Sequence, residues 1–108
     1  MKTLFSSLEA QYGEDFNWFL LPENKTFFYE EAFREIHPGH PLYGCTLQSI
    51  AKCGSNDDVL YRSETVSLPV YYVIHLTYNK QNTGDFPLFT RLDVIDAVRS
   101  FIETNLND

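Results

Sequence analysis

Residues 70–78 read Val70-Tyr71-Tyr72-Val73-Ile74-His75-Leu76-Thr77-Tyr78. Aromatic and β-branched side chains dominate this run, as they do in strands. Side chains alternate sides along a strand. Both sides of this one are largely apolar, which predicts a central strand and not an edge strand.

Working outward, residues 58–63 form a shorter strand pattern, and residues 44–53 form a longer one. In the longer one, strict alternation puts Cys45, Leu47, Ser49, Ala51 and Cys53 on one side. Gly54-Ser55-Asn56-Asp57 between the two is turn chemistry, so they read as an antiparallel hairpin. Upstream, Leu4, Leu8 and Tyr12 recur at helical spacing, with Thr3 as cap and Gly13 as stop. Residues 14–22 read as an aromatic connector ended by Pro22. Thr26 caps a second helix over about 27–36, with Phe28, Ala32, Phe33 and Ile36 on one face and a Glu30–Arg34 pair. His37-Pro38-Gly39-His40-Pro41 stops it. After a polar loop over 79–90, Thr90 and Asp93 resemble a capping box. Leu92, Ile95, Val98, Phe101 and Ile102 carry a helix to about residue 104. The predicted fold is α+β: a small antiparallel β-sheet of about three strands, with two N-terminal helices and a C-terminal helix packed on one face.

The chain has 108 residues and a formal net charge of -7. That length suits a single domain over 1–108 with one modest core. Its apolar content of 44% is too high for disorder. Excess acid argues against nucleic acid or an anionic membrane surface as partner. No apolar run approaches the ~20 residues of a membrane span, and the N-terminus lacks a secretory h-region, so the expected location is cytoplasmic. Cys45 and Cys53 on one strand would lie roughly 26 Å apart, against the ~7 Å limit for a disulfide, so two free thiols are expected.

Several residues could carry chemistry. His37 and His40, with Glu30, Glu31 and Glu35 upstream, have the donors for a divalent ion. However, Pro38 and Gly39 interrupt the helix that would align them, so no metal or other cofactor is assigned. His75 and Thr77 form a His-x-Thr on a strand. Paired copies of that motif serve cyclic-phosphodiester hydrolases and RNA ligases as general acid and base, but the second copy is missing. Asp57 and Asp58 form a carboxylate pair that also suits a tight turn. No phosphate-cradling glycine motif or nucleophile elbow occurs.

The aromatic surplus is concentrated near acid. Residues 13–35 hold six acids against Lys25 and Arg34, a local charge of -4, among Phe16, Trp18, Phe19, Phe27, Phe28 and Tyr29. Aromatic anchors rimmed by acids describe a site for a basic protein partner, or else a homodimer interface. The binding candidates are Trp18, Glu30, Glu31, Glu35, His37 and His40. The catalytic candidates, for a small hydrolase or nucleotide-processing enzyme, are His75, Thr77, Asp57 and Asp58. The leading expectation is a protein-interaction module without chemistry of its own.

The blocks His40-Pro-Leu-Tyr-Gly44, Asn56-Asp-Asp-Val-Leu60 and Val73-Ile-His-Leu-Thr77 resemble those of a group of small uncharacterised bacterial proteins. The resemblance spans roughly residues 33–77. Where members commonly carry Val-His-Leu-Thr-Trp, this chain has Ile74-His-Leu-Thr-Tyr78. The group brings no established activity, but the resemblance marks Asp57, Asp58, His75 and Thr77 as a set. Small acidic bacterial domains are also often immunity proteins that neutralise toxins, an analogy of size and charge alone.

Overall fold

A computed structural model describes residues 1–63, 70–79 and 83–106. The elements run α1 (Lys2–Tyr12), a 3-10 turn (Gly13–Asp15), β1 (Trp18–Leu20), α2 (Phe27–Glu35), β2 (Leu47–Cys53), β3 (Asp58–Ser63), β4 (Val70–His75), β5 (Phe89–Leu92) and α3 (Ile95–Leu106). The fold is α+β, and its sheet is an antiparallel meander of five strands in the order β1-β2-β3-β4-β5. The expected three strands are present as β2, β3 and β4, but β2 starts at Leu47 and not at residue 44, and β4 ends at His75 and not at residue 78, so Thr77 lies beyond the strand. Both additional strands are short and lie at the edges, where local pattern is weakest. Residues 80–82 of the expected polar loop lie outside the described residues.

The two edge strands correct the sequence reading. Trp18–Leu20, expected as connector, pairs with β2. Phe89–Leu92 pairs with β4, so Thr90 lies in a strand and caps no helix. The reason is hydrogen bonding: without β5, the apolar β4 would present an open ladder edge. Helix α3 therefore starts later, and Val98 and Ile102 are its buried residues.

The helices cover both faces of the sheet, not one. On the first face, Phe5 and Leu8 of α1 and Val98 and Ile102 of α3 pack on Trp18, Ala51, Cys53, Leu60, Val73 and Leu92. On the second, α2 lays Ala32 with Phe28 and Ile36 over Val59, Tyr61, Tyr72 and Ile74. This double cover is what the two-sided apolar pattern of β4 requires. In α1 the buried pair is Phe5 and Leu8, Met1 is the cap, and Thr3 lies within the helix. Gly13 ends the helix at φ 58°, a conformation that glycine adopts without strain. Phe33, expected on the packed face of α2, is 76% exposed.

A β-bulge overturns the single alternation read for residues 44–53. Ser49 pairs with Tyr61, but Ala51 pairs with Leu60, leaving Ile50 as the extra residue. Leu47 therefore packs on the α2 face, while Ala51 and Cys53 pack on the α1/α3 face. Cys45 lies outside the strand and is exposed, and both cysteines are free thiols. No described helix is long and apolar enough to cross a membrane.

Candidate functional site

One end of the sheet carries a row of chemically distinct side chains on its α1/α3 face. Trp18 of β1 is opposite Cys53 of β2, and Asp58 of β3 is opposite His75 of β4. One step beyond the Lys52–Val59 pair, Cys53 stands beside Asp58. Directly opposed residues share a face, so sheet register alone sets the order Trp18, Cys53, Asp58, His75.

Local chemistry holds the row in place. The Asp58 N–H donates to Asn56 Oδ1 at 2.9 Å, which closes an Asx turn at the start of β3. The Gly54 N–H donates to Asn17 O at 2.8 Å, tying the β2–β3 turn to the connector before β1. The Leu76 N–H donates to Asp57 O at 3.2 Å, so Asp57 contributes its backbone while its side chain stays at the surface.

His75 donates through Nδ1 to Asp58 Oδ1. The Asp58 side chain is 11% exposed and that of His75 is 43% exposed. With its proton held on Nδ1, a neutral imidazole presents the Nε2 lone pair outward. An imidazole oriented in this way has the geometry that a general base requires. No nucleophile of the row stands against it. Cys53 lies on the far side of Asp58 from His75, whereas an activated thiol must touch the imidazole.

Beside the row is a polar cavity of about 170 Å³, walled by Asp15, Asn17, Trp18, Asn56, Asp58 and Asn105. Cys53 also borders it, with Sγ 3.4 Å from Ser55 Oγ. Sequence reasoning singled out Trp18 and Asp58 but missed Asp15, Asn17 and Asn105. These come from a 3-10 turn, a connector and the last turn of α3, and no local pattern links them.

Thr77 does not join His75. Its N–H and its hydroxyl both donate to Glu35 Oε1, at 2.8 and 2.9 Å, and the Tyr78 N–H donates to Glu35 Oε2 at 3.0 Å. Glu35, a binding candidate, is thus 98% removed from solvent with 2% exposure, and it organises the chain after β4. Burial pushes its carboxyl up. Hydrogen bonding from Glu31, Thr77 and Tyr78 outweighs that and leaves it below the ordinary carboxylate range. Burial moves the neighbouring Glu31 carboxyl the other way, upward, although Arg34 pairs with it. Glu30 alone of the three acids is fully at the surface.

The two histidines after α2 are clamps on the 84–88 loop. His40 is 3% exposed; its Nε2 donates to Pro87 O at 2.8 Å and its Nδ1 accepts from Leu42 N–H at 3.0 Å. His37, more open, donates through Nε2 to Gly84 O at 3.1 Å. With its two ring nitrogens taken by backbone, His40 presents nothing to a ligand. Among the described residues, no three His, Cys, Asp or Glu side chains gather to hold a metal ion.

A second concavity lies on the α2 face. It has a volume of about 470 Å³, lies between α2 and residues 38–47, and is lined by Tyr29, Phe33, Ile36, Leu42, Tyr43 and Leu47 among others, with no charged residue in its wall. Phe33 and Tyr43 are 76% and 58% exposed.

No family model matches the chain, and no curated protein or solved structure is similar enough to match it.

Proposed function

We propose that this domain is a protein-interaction module, of the inhibitor or immunity kind, that docks a basic partner on its α2 face. The observation that carries the reading is the apolar groove, whose rim exposes Phe33 and Tyr43. Its volume falls within the roughly 300–1,000 Å³ of binding clefts, and large exposed apolar patches mark interaction sites. The net charge of -7 favours a basic occupant over a second copy, because two such chains repel each other on approach. Exposed Glu30, next in the chain to the groove-lining Tyr29, adds to that bias.

The test starts with cross-linking in lysate, comparing the wild-type chain with Phe33→Asp. Support requires that a captured protein be basic and bind the purified chain directly. Its affinity must fall in Phe33→Asp and weaken as salt rises. A concentration-dependent dimer in light scattering, broken by Phe33→Asp, would replace this reading with a homodimer. A clean monomer with no Phe33-dependent partner would remove it.

The Asp58–His75 pair supports a second reading, a small hydrolase or nucleotide-processing enzyme with His75 as general base. It requires a hydrolytic activity that His75→Ala abolishes while the fold is retained. Activity unchanged in that variant would dismiss His75 as the base.

A further inference from the structure

We propose that the polar cavity at the Trp18–Cys53–Asp58 end of the sheet is a binding site for a guanidinium group. Such a group is carried by an arginine side chain or by a free arginine-like small molecule. This site is distinct from the α2 groove, which lies against the opposite face of the sheet.

The chemistry of the wall selects a cation. Asp15 and Asp58 bring carboxylates, Asn17 and Asn105 bring amides, and no lysine or arginine lines the space; Asn56 Oδ1 is already taken by the Asp58 N–H. The last turn of α3 brings the negative end of its macrodipole to the same place through Asn105 and Leu106.

A second observation concerns Asp58 itself. Its side chain keeps only 11% of its exposure. One carboxylate oxygen accepts from His75, and the other accepts from no described residue. Among the described residues, no fully buried polar side-chain atom lacks a partner, so this second oxygen meets open space. Asp58 borders the cavity. A largely desolvated carboxylate with one free oxygen is an acceptor for a charged donor, the pairing that forms the stronger hydrogen bonds.

Shape then separates guanidinium from the alternatives. A bare metal ion needs several ligands converging on one point, whereas these acceptors are spread around a cavity of about 170 Å³. That volume far exceeds the ~10–15 Å³ one water requires. An ammonium concentrates three donors at one atom, whereas a guanidinium spreads five over a plane and so reaches acceptors on several walls. Trp18 also lines the cavity, and an aromatic ring is a surface on which a guanidinium stacks.

The test is a titration of the full chain by amide-resolved NMR with Nα-acetyl-arginine amide. Its citrulline counterpart, uncharged but nearly isosteric, and its lysine counterpart run in parallel. Expected are saturable shifts at Asn17, Trp18, Asp58 and Asn105, with citrulline inert and lysine weaker. Asp58→Asn should weaken binding by at least about ten-fold. Asp15→Asn, at an exposed position, gives a second loss if Asp58→Asn fails to fold. Free arginine and a capped Gly-Arg-Gly peptide separate the sources: preference for the peptide assigns a protein side chain, and preference for free arginine assigns a small molecule. Absence of saturable shifts, equal binding of citrulline, or binding unchanged in both Asp variants overturns the proposal. Such a failure leaves the α2 groove reading untouched, because that reading is tested through Phe33.

Discussion

Replacing Glu35 by Gln removes one charge and keeps the shape of the side chain. Three donors of Thr77 and Tyr78 converge on this carboxylate at 2.8, 2.9 and 3.0 Å, Glu31 is hydrogen-bonded to it as well, and the side chain has no exposed surface. Glutamine has one acceptor oxygen. If that oxygen serves Thr77, the amide NH₂ confronts the Tyr78 N–H, donor against donor. One N–H is left without its partner, at about 1–3 kcal/mol, and the Thr77 bonds lose their charge assistance. The expected loss is about 2–4 kcal/mol, a large share of the ~5–15 kcal/mol that holds a domain. Tyr78 raises the stakes, because its backbone sits at φ 57°, where non-glycine residues rest only when held. Urea unfolding of both chains measures the difference.

Acid should reproduce part of this loss. The folded Glu35 carboxyl lies below its ordinary value of 4.5. Its contribution is therefore complete above that value and is lost as pH falls through the lower, folded one. Glu31, raised in the folded state, has the opposite sign: it costs stability as pH climbs from about 4.5 toward its folded value. Glu35→Gln should flatten the acid limb of the stability curve. A loss below ~1 kcal/mol, or an acid limb unchanged by Glu35→Gln, would refute the assigned role.

Three further outcomes follow from the packing. His40→Ala should cost about 2–4 kcal/mol, because it strands two backbone groups and opens a void, while His37→Ala at the surface should cost under ~1 kcal/mol in the same urea assay. Gly54→Ala should cost about 1–3 kcal/mol, measured the same way. Its new Cβ would meet Asn17 O at 2.9 Å and the Phe19 ring at 3.2 Å. Cys45 should react quickly with a thiol reagent and Cys53, at 4% exposure, only as the fold opens, so a native chain should show one fast thiol of two.

Residues 70–75 marked themselves as a central strand, because both of their sides are apolar, but that helices cover both faces and not one was decided by the tertiary packing. The hairpin of β2 and β3 was equally plain, since turn chemistry between two alternating runs is a local property. So was the existence of α2 and of the helical stripe through Val98 and Ile102. Residues 89–92 show where local reading stops. Thr90 and Asp93 look like a helix start, and only the open edge of β4 makes them part of a strand. The bulge at Ile50 is a decision of the same kind. Nothing in the run 47–53 marks it, yet it sends Leu47 to one core and Ala51 and Cys53 to the other.

For the candidate site, the sequence by itself determined which chemistry was on offer: a carboxylate pair in a turn, a histidine in an aromatic strand, acids among aromatics. Tertiary structure decided who meets whom. Asp58 and His75 are seventeen positions apart and bonded. Thr77, two residues from His75, turns instead to Glu35 across forty-two. Asn105 reaches the Asp58 cavity from the other end of the chain. A side chain's partner is set by strand register and by which helix covers which face. Both are settled by burial and backbone hydrogen bonding summed over the whole molecule, and a stretch of sequence carries only its own share of that sum.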